Sequence, residues 1–198
     1  MLQLGLSRKC GAQTSFEMEC FAMPPRPASR DLRGLAARVT VEGVVASGRS
    51  QARVIMNEKS RELRALVGVD LQPGSLNLVL EEPLRLVTEK SVRFDRDLRY
   101  LWKAQLVGSE RPVWIYRWRG CPLHVCEIVS PVHLRTDLGL ADGDRMTLII
   151  EAEVIGRVGQ LARVVWSLLW QGRQHHYYGS ESYRRAVYFT RLHMLAAQ

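Results

Sequence analysis

Ser75 and Asn77 stand two positions apart in the stretch Pro73-Gly-Ser-Leu-Asn-Leu-Val-Leu80. Leu76, Leu78 and Leu80 alternate with them at the period of a β-strand, so the hydroxyl and the carboxamide face the same side. Both are hard, neutral oxygen donors. Alone they bind Mg²⁺ feebly, but they suffice where nucleotide phosphates supply most of the charge. The competing assignment is a polar pair on a solvent-facing strand surface. A second candidate is Arg135, at the start of a helical turn predicted over Leu134 to Leu138. Backbone N–H groups before that turn could meet a phosphate, and the guanidinium would add charge-assisted bonds. The alternative is ion pairing with Asp137 or Asp142.

The elements that must position these groups read mainly as β. Val39 to Val45 forms a β-branched run, and Arg53 to Met56 reads as a second strand across a turn holding Gly48. Glu58 to Val67 has helical spacing, with Gly68 as its C-cap. Strands are predicted over Ser75–Leu80, Leu98–Val107, Val113–Arg119, Val125–Val129 and Met146–Ile150. Trp114, Tyr116 and Trp118 share one face as packing residues. Tight turns fall at Gly139 and Asp142-Gly143-Asp144. Six or so short strands with a single helix suggest a small barrel over about residues 39–152. Before it, Met23-Pro-Pro-Arg-Pro marks residues 1–38 as an arm and Pro-rich linker. After it, Val158, Leu161, Val165, Leu168 and Leu169 have helical spacing. Gln171 to Ser180 reads as a polar loop, and Glu181 to Ala197 as a second helix capped by Ser180 or Ser182. Strands remain possible in this region. The extension 153–198 is expected to be a helical hairpin packed on the barrel, or a basic amphipathic surface contacting a membrane or a protein.

The chain has 198 residues, 46% hydrophobic and 24% charged, and a formal net charge of +8. Residues 1–38 hold six basic and three acidic side chains, 39–152 sixteen and fifteen, and 153–198 six and two. The excess lies in the flanks around a near-neutral middle, which disfavours nucleic acid as the main partner. Cys10, Cys20, Cys121 and Cys126 form no CxxC pair, and reduced, partly buried thiols are expected. No apolar stretch of signal-peptide length opens the chain. The run Leu161–Trp170 carries Arg163 and is too short to span a bilayer, so a cytoplasmic location is expected.

Three stretches, in order, resemble the archaeal CTP-dependent riboflavin kinase family. They are Gly43-Val-Val-Ala-Ser-Gly48, Pro73-Gly-Ser-Leu-Asn77, and Glu127-Ile-Val-Ser-Pro-Val-His-Leu-Arg135 continuing to Leu140-Ala-Asp-Gly-Asp144. The resemblance covers about residues 42–150. It implies a six-stranded cradle-loop (RIFT-like) barrel and phosphoryl transfer from CTP to riboflavin, giving FMN and CDP. It further implies Mg²⁺ ligands at Ser75 and Asn77. Nucleotide contacts would come from Gly48, Arg49, Ser50, Gln51, Ala52 and Arg53 and from His133, Leu134, Arg135 and Thr136. Glu127 would contact the flavin. The family's first loop reads Gly-Leu-Gly-Glu-Gly where this chain has Gly48-Arg-Ser-Gln-Ala52, and Arg49 and Arg53 could substitute side-chain charge for lost glycines. The family's flavin-side threonine aligns near Arg119, and its surrounding stretch is absent. The extension lies outside the family pattern.

The nucleotide and metal half is thus partly retained and the acceptor half rebuilt. A phosphotransferase is expected, taking CTP or another nucleoside triphosphate and riboflavin or another small hydroxyl acceptor. Glu127 would orient that hydroxyl or accept its proton, or else be a structural hydrogen-bond partner. The alternative is a non-catalytic nucleotide- or flavin-binding module whose extension binds a partner. A membrane-surface or nucleic-acid adaptor using the basic flanks is the third reading.

Overall fold

The computed structural model describes residues 37–190. The expected arm, Cys10, Cys20 and the end of the last expected helix lie outside the described residues.

The described chain runs β1 (Arg38–Ala46), α1 (Gln51–Glu58), α2 (Ser60–Val67), β2 (Leu76–Leu80), β3 (Arg85–Leu86), β4 (Val92–Phe94), β5 (Arg99–Leu106), β6 (Val113–Trp118), β7 (Val125–Val129), α3 (Leu134–Asp137), β8 (Arg145–Glu151), β9 (Ile155–Gly156), α4 (Gln160–Leu169), α5 (His176–Gly179) and α6 (Glu181–Tyr188). Strands pair antiparallel in the order β5-β6-β7-β2-β1-β8, and β8 returns to β5 through Gln105↔Ile149 and Leu106↔Leu148. The result is a closed six-stranded barrel, which leaves no open sheet edge around that ring. Strand β5 is long enough to pair β4 at its start and β8 at its end.

Alternation explains which side chains fill the barrel. Leu76, Leu78 and Leu80 point inward with Val45, Ile115, Ile128, Leu148 and Ile150. Their neighbours along each strand point outward. Trp114 and Tyr116 pack outside with Phe94, Leu101, Val129 and the buried Ala52, Met56 and Leu63 of α1 and α2. A third cluster joins Cys121 and Val125 to Trp166, Trp170, Tyr177 and Val187. Cys121 and Cys126 are free and buried. Arg117 is buried inside the β6 end of the barrel, and donates to the carbonyls of Val125 (2.9 Å), Leu84 (2.6 Å) and Leu123 (3.0 Å).

Several expectations require correction. Arg53–Met56 is not a strand but part of α1, so two helices, not one, lie between β1 and β2. The β-branched pair Val54-Ile55 suggested extension, but Ala52 and Met56, four apart, bury one helical face against the barrel. Gly68 does cap α2 in the left-handed conformation (φ 80°). On α4 the period is helical, but the buried face is Ala162, Val165 and Trp166, whereas Leu161 and Leu168 are 60% and 64% exposed. The expected loop 171–180 contains α5, where Tyr177 is fully buried. Ser180, rather than Ser182, caps α6 by accepting from the Tyr183 amide. Among the described residues, no helix is long and apolar enough to cross a membrane.

Candidate active site

The registers of four adjacent strands set one row of side chains on the outer barrel face. Ala46 pairs with Asn77, Asn77 with Glu127, and Glu127 with Tyr116. Ser75, just ahead of β2, reaches into the same row. Its Oγ lies 3.1 Å from Asn77 Oδ1 and 3.2 Å from Glu127 Oε2. The other end of the Asn77 carboxamide donates to the Ala46 carbonyl, which turns Oδ1 toward Ser75. A hydroxyl has one hydrogen to give, and here two acceptors face it. Lone pairs therefore outnumber donors at this point, and a set of hard oxygens with that surplus fits a cation such as Mg²⁺. No group of three or more His, Cys, Asp or Glu among the described residues forms a self-sufficient metal cage. A cation here would rely on a ligand's own oxygens.

The backbone around Asn77 leaves no slack. A Cβ on Gly48 would sit 2.1 Å from Asn77 Nδ2, so only glycine permits this approach. Two residues later Ser50 adopts φ 59°, the left-handed conformation glycine favours, at a position where the family pattern has glycine. It leads directly into α1. No side chain caps that helix start and no acidic residue occupies its first turn, so its first N–H groups favour an anion.

A polar cavity of about 250 Å³ collects these parts. Its lining includes Gly48, Arg49, Ser50, Gln51, Ala52 and Arg53, with Ser75, Asn77, Glu127, His133 and Arg135. Two sequence-derived candidates stand apart. Leu134 is buried in the barrel core, and Thr136 meets His133 Nδ1 at 2.7 Å. Arg135 is held by Asp142 at 2.6 Å, the ion pair its alternative reading anticipated, while still lining the cavity. The Asp142 carboxyl is held below its usual range by Ser47 and then by Arg135. The motif Asp142-Gly143-Asp144 also grips β1: Val45 N–H donates to the Asp144 carbonyl, and Gly143 N–H to that of Val45.

The extension supplies the feature that sequence reasoning missed. Tyr178 OH donates to Glu127 Oε1 at 3.2 Å, so both carboxylate oxygens are engaged, one by the barrel and one by α5. Arg49 donates through Nη2 to Tyr177 OH at 2.6 Å, and its guanidinium lies 4.8 Å from the centre of that ring. Its Nε and Nη1 are buried without a hydrogen-bond partner. Burial pushes the Glu127 carboxyl above its ordinary value, against the lowering effects of Tyr178, Ser75 and Arg49. Tyr178 is raised in turn, by burial and then by the Glu127 carboxylate, and stays a donor. The pair of tyrosines and the loop 171–180 carried no local signal beyond their aromatic composition.

No family model matches the chain. Three curated archaeal proteins, each called riboflavin kinase, are similar to it. That of Archaeoglobus fulgidus is 30% identical over 132 residues, covering 59% of this chain and 55% of the relative. That of Ignicoccus hospitalis is 27% identical over 129 residues, covering 57% and 71%. That of Saccharolobus solfataricus is 25% identical over 127 residues, covering 56% and 73%. The chain spans about half the length of the Archaeoglobus relative (55%). The closed six-stranded barrel is consistent with a riboflavin kinase-like barrel, and over 56–59% of its length the chain is similar to these three archaeal riboflavin kinases.

Proposed function

We propose that this chain is a Mg²⁺-dependent phosphotransferase of the riboflavin kinase type. It takes CTP or another nucleoside triphosphate as donor and riboflavin or another small hydroxyl compound as acceptor. The observation that carries this reading is Arg49, which lines the cavity with Ser75, Asn77 and Glu127 and keeps two buried, unpartnered nitrogens. Buried N–H groups of a cation are costly when unpaired, and phosphate oxygens are their natural partners. Gly48 to Arg53 and the start of α1 would cradle the phosphates, and Arg53 and Arg135 add charge at the same cavity.

Mg²⁺, held by Ser75 Oγ and Asn77 Oδ1, would screen the charge of the phosphate oxygens. Glu127 orients the acceptor hydroxyl and takes its proton. The acceptor oxygen forms a bond to the γ-phosphorus, and the bond from that phosphorus to the bridging oxygen breaks. The products are a phosphate ester and a nucleoside diphosphate. Positioning and electrostatics supply most of the acceleration. A raised Glu127 pKa makes its carboxylate a stronger base.

A second reading is favoured by the Tyr178–Glu127 bond. If the extension keeps Glu127 from the acceptor, the domain binds nucleotide or flavin without turnover. Exposed Leu161, Val164 and Leu168 on α4 support a protein or membrane-surface contact for the extension in either case. Incubation of the full chain with CTP, Mg²⁺ and riboflavin, with chromatography for FMN and CDP, separates the two readings. Formation of both products supports the kinase. Tight binding of both substrates with no product supports the binding module.

A further inference from the structure

A second cavity, of about 450 Å³, lies beside the polar one. Its floor is the outer barrel face one step along from the catalytic row. Val44 and Val79 are cross-strand partners, and each is two residues from a member of the row, Ala46 or Asn77. That separation is about 7 Å along a strand. Its cover comes from the extension, through Tyr178 and His175. Ser47 lines both cavities, and Tyr178, which lines this one, bonds Glu127, which lines the other. The two spaces therefore meet at Ser47 and Tyr178.

Their chemistry is opposite. Arg49, Arg53 and Arg135 line the polar cavity, and no Lys or Arg lines the second. Charged groups at its rim are the carboxylates of Glu81 and Asp142, already answered by Arg145 at 3.2 Å and Arg135 at 2.6 Å. They remain acceptors for N–H and O–H groups. A valine-lined sheet face below and aromatic rings above suit a flat apolar body, and the volume is that of a small-molecule site.

We propose that this cavity is the acceptor's ring site. It takes an uncharged, planar heteroaromatic system with hydrogen-bond donors at its edge, and a hydroxylated arm reaches past Tyr178 to Glu127. The role of this ligand as acceptor rests on the phosphotransferase reading above. The site itself does not, because it is built half from the barrel and half from residues beyond the family-like stretch. The extension thereby sets acceptor specificity, replacing the missing stretch near Arg119.

The test measures riboflavin binding by flavin fluorescence and Mg-CTP binding by calorimetry, on the full chain and two variants. Val44→Trp fills the cavity floor and should weaken riboflavin binding about 10-fold or more. His175→Ala, at an exposed cover position, should keep the fold and weaken riboflavin binding about threefold. Mg-CTP affinity should stay within about twofold in both. Riboflavin bound equally by all three proteins overturns the cavity assignment and leaves the kinase reading standing. So does wild-type protein that binds Mg-CTP but no riboflavin. Loss of Mg-CTP binding in wild type instead overturns the phosphotransferase reading, while the riboflavin titrations still decide the cavity. Should Val44→Trp fail to fold, His175→Ala decides alone.

Discussion

The two walls of the candidate site are built on different principles. The cradle, from Gly48 to Arg53 with Ser75, Asn77 and Arg135, is polar, and its geometry is fixed by backbone. Gly48 abuts Asn77, Ser50 turns left-handed, and Asp142 and Asp144 tie down Arg135 and β1. The cover, from Trp166 to Tyr188, is aromatic and fixed by side-chain packing. Trp170 meets Tyr177 and Tyr183 edge-on, and Tyr177 stacks on Trp118. A wall made of backbone tolerates little change, whereas a packed aromatic wall can be rebuilt with its volume conserved. The Ser75–Asn77 and Glu127–Asp144 stretches accordingly keep the resemblance, the loop after Gly48 exchanges glycines for Ser50 and Ala52, and the cover lies outside the resembling stretch.

Substitutions on either side should break or sharpen this division. The largest effect is expected at the cradle. Asn77→Ala should lower turnover about 100-fold or more, because an oxygen donor to charge is lost, with the fold kept and a stability loss of about 1–3 kcal/mol for the hydrogen bond to the Ala46 carbonyl. Full activity in that variant would remove the metal assignment. Glu127→Gln should act on both walls. FMN formation should fall about 100-fold. Stability at neutral pH should rise, because burial raises the Glu127 pKa and the folded protein holds that proton more tightly than the unfolded chain. Ionisation of Glu127 therefore removes stability as pH climbs from the ordinary carboxylate range through the raised value, and glutamine escapes that loss. Melting curves from acid to neutral pH should diverge in that direction, and curves that stay parallel would show that Glu127 is not the buried acid.

Tyr178→Phe tests whether the cover takes part in the chemistry. Its hydrogen bond lowers the Glu127 pKa, so removing it should move the acidic limb of the pH–rate profile to higher pH. The neutral rate should fall about 3–10-fold, the worth of one such bond. An unchanged pH profile would make the cover a passive lid. The smallest effect belongs to Ser50→Gly, which relieves a left-handed non-glycine backbone. A gain of about 1 kcal/mol or less in denaturant unfolding, with turnover intact, is expected.

How much of this was legible depended on sequence range. The strands carrying the row were readable from alternation, and Gly68 and Ser180 from capping chemistry. The local motifs named most cavity residues. Arg53–Met56 was misread because β-branched side chains carry a strand signal, and only tertiary burial of Ala52 and Met56 overrides it. Leu134 was grouped with its motif neighbours, yet it points into the barrel, since one turn of helix sends successive residues to different sides. On α4 the helical period was visible but not its phase, because which stripe is buried depends on the partner surface. The contacts that define the cover span 51 residues from Glu127 to Tyr178 and 128 from Arg49 to Tyr177. No local pattern encodes a hydrogen bond at that range.

Arg49 belongs to both walls at once: it lines the cavity, gives one nitrogen to a tyrosine of the extension and keeps two more buried and unpaired. Any anion that engages those free nitrogens also reweights the hold of α5 on the barrel. Thermodynamic reciprocity then requires that the factor by which nucleotide tightens or loosens the terminal helices equal the factor by which those helices alter nucleotide affinity. Amide exchange in α5 and α6 would thus report on occupancy of a pocket to which neither helix contributes a lining residue.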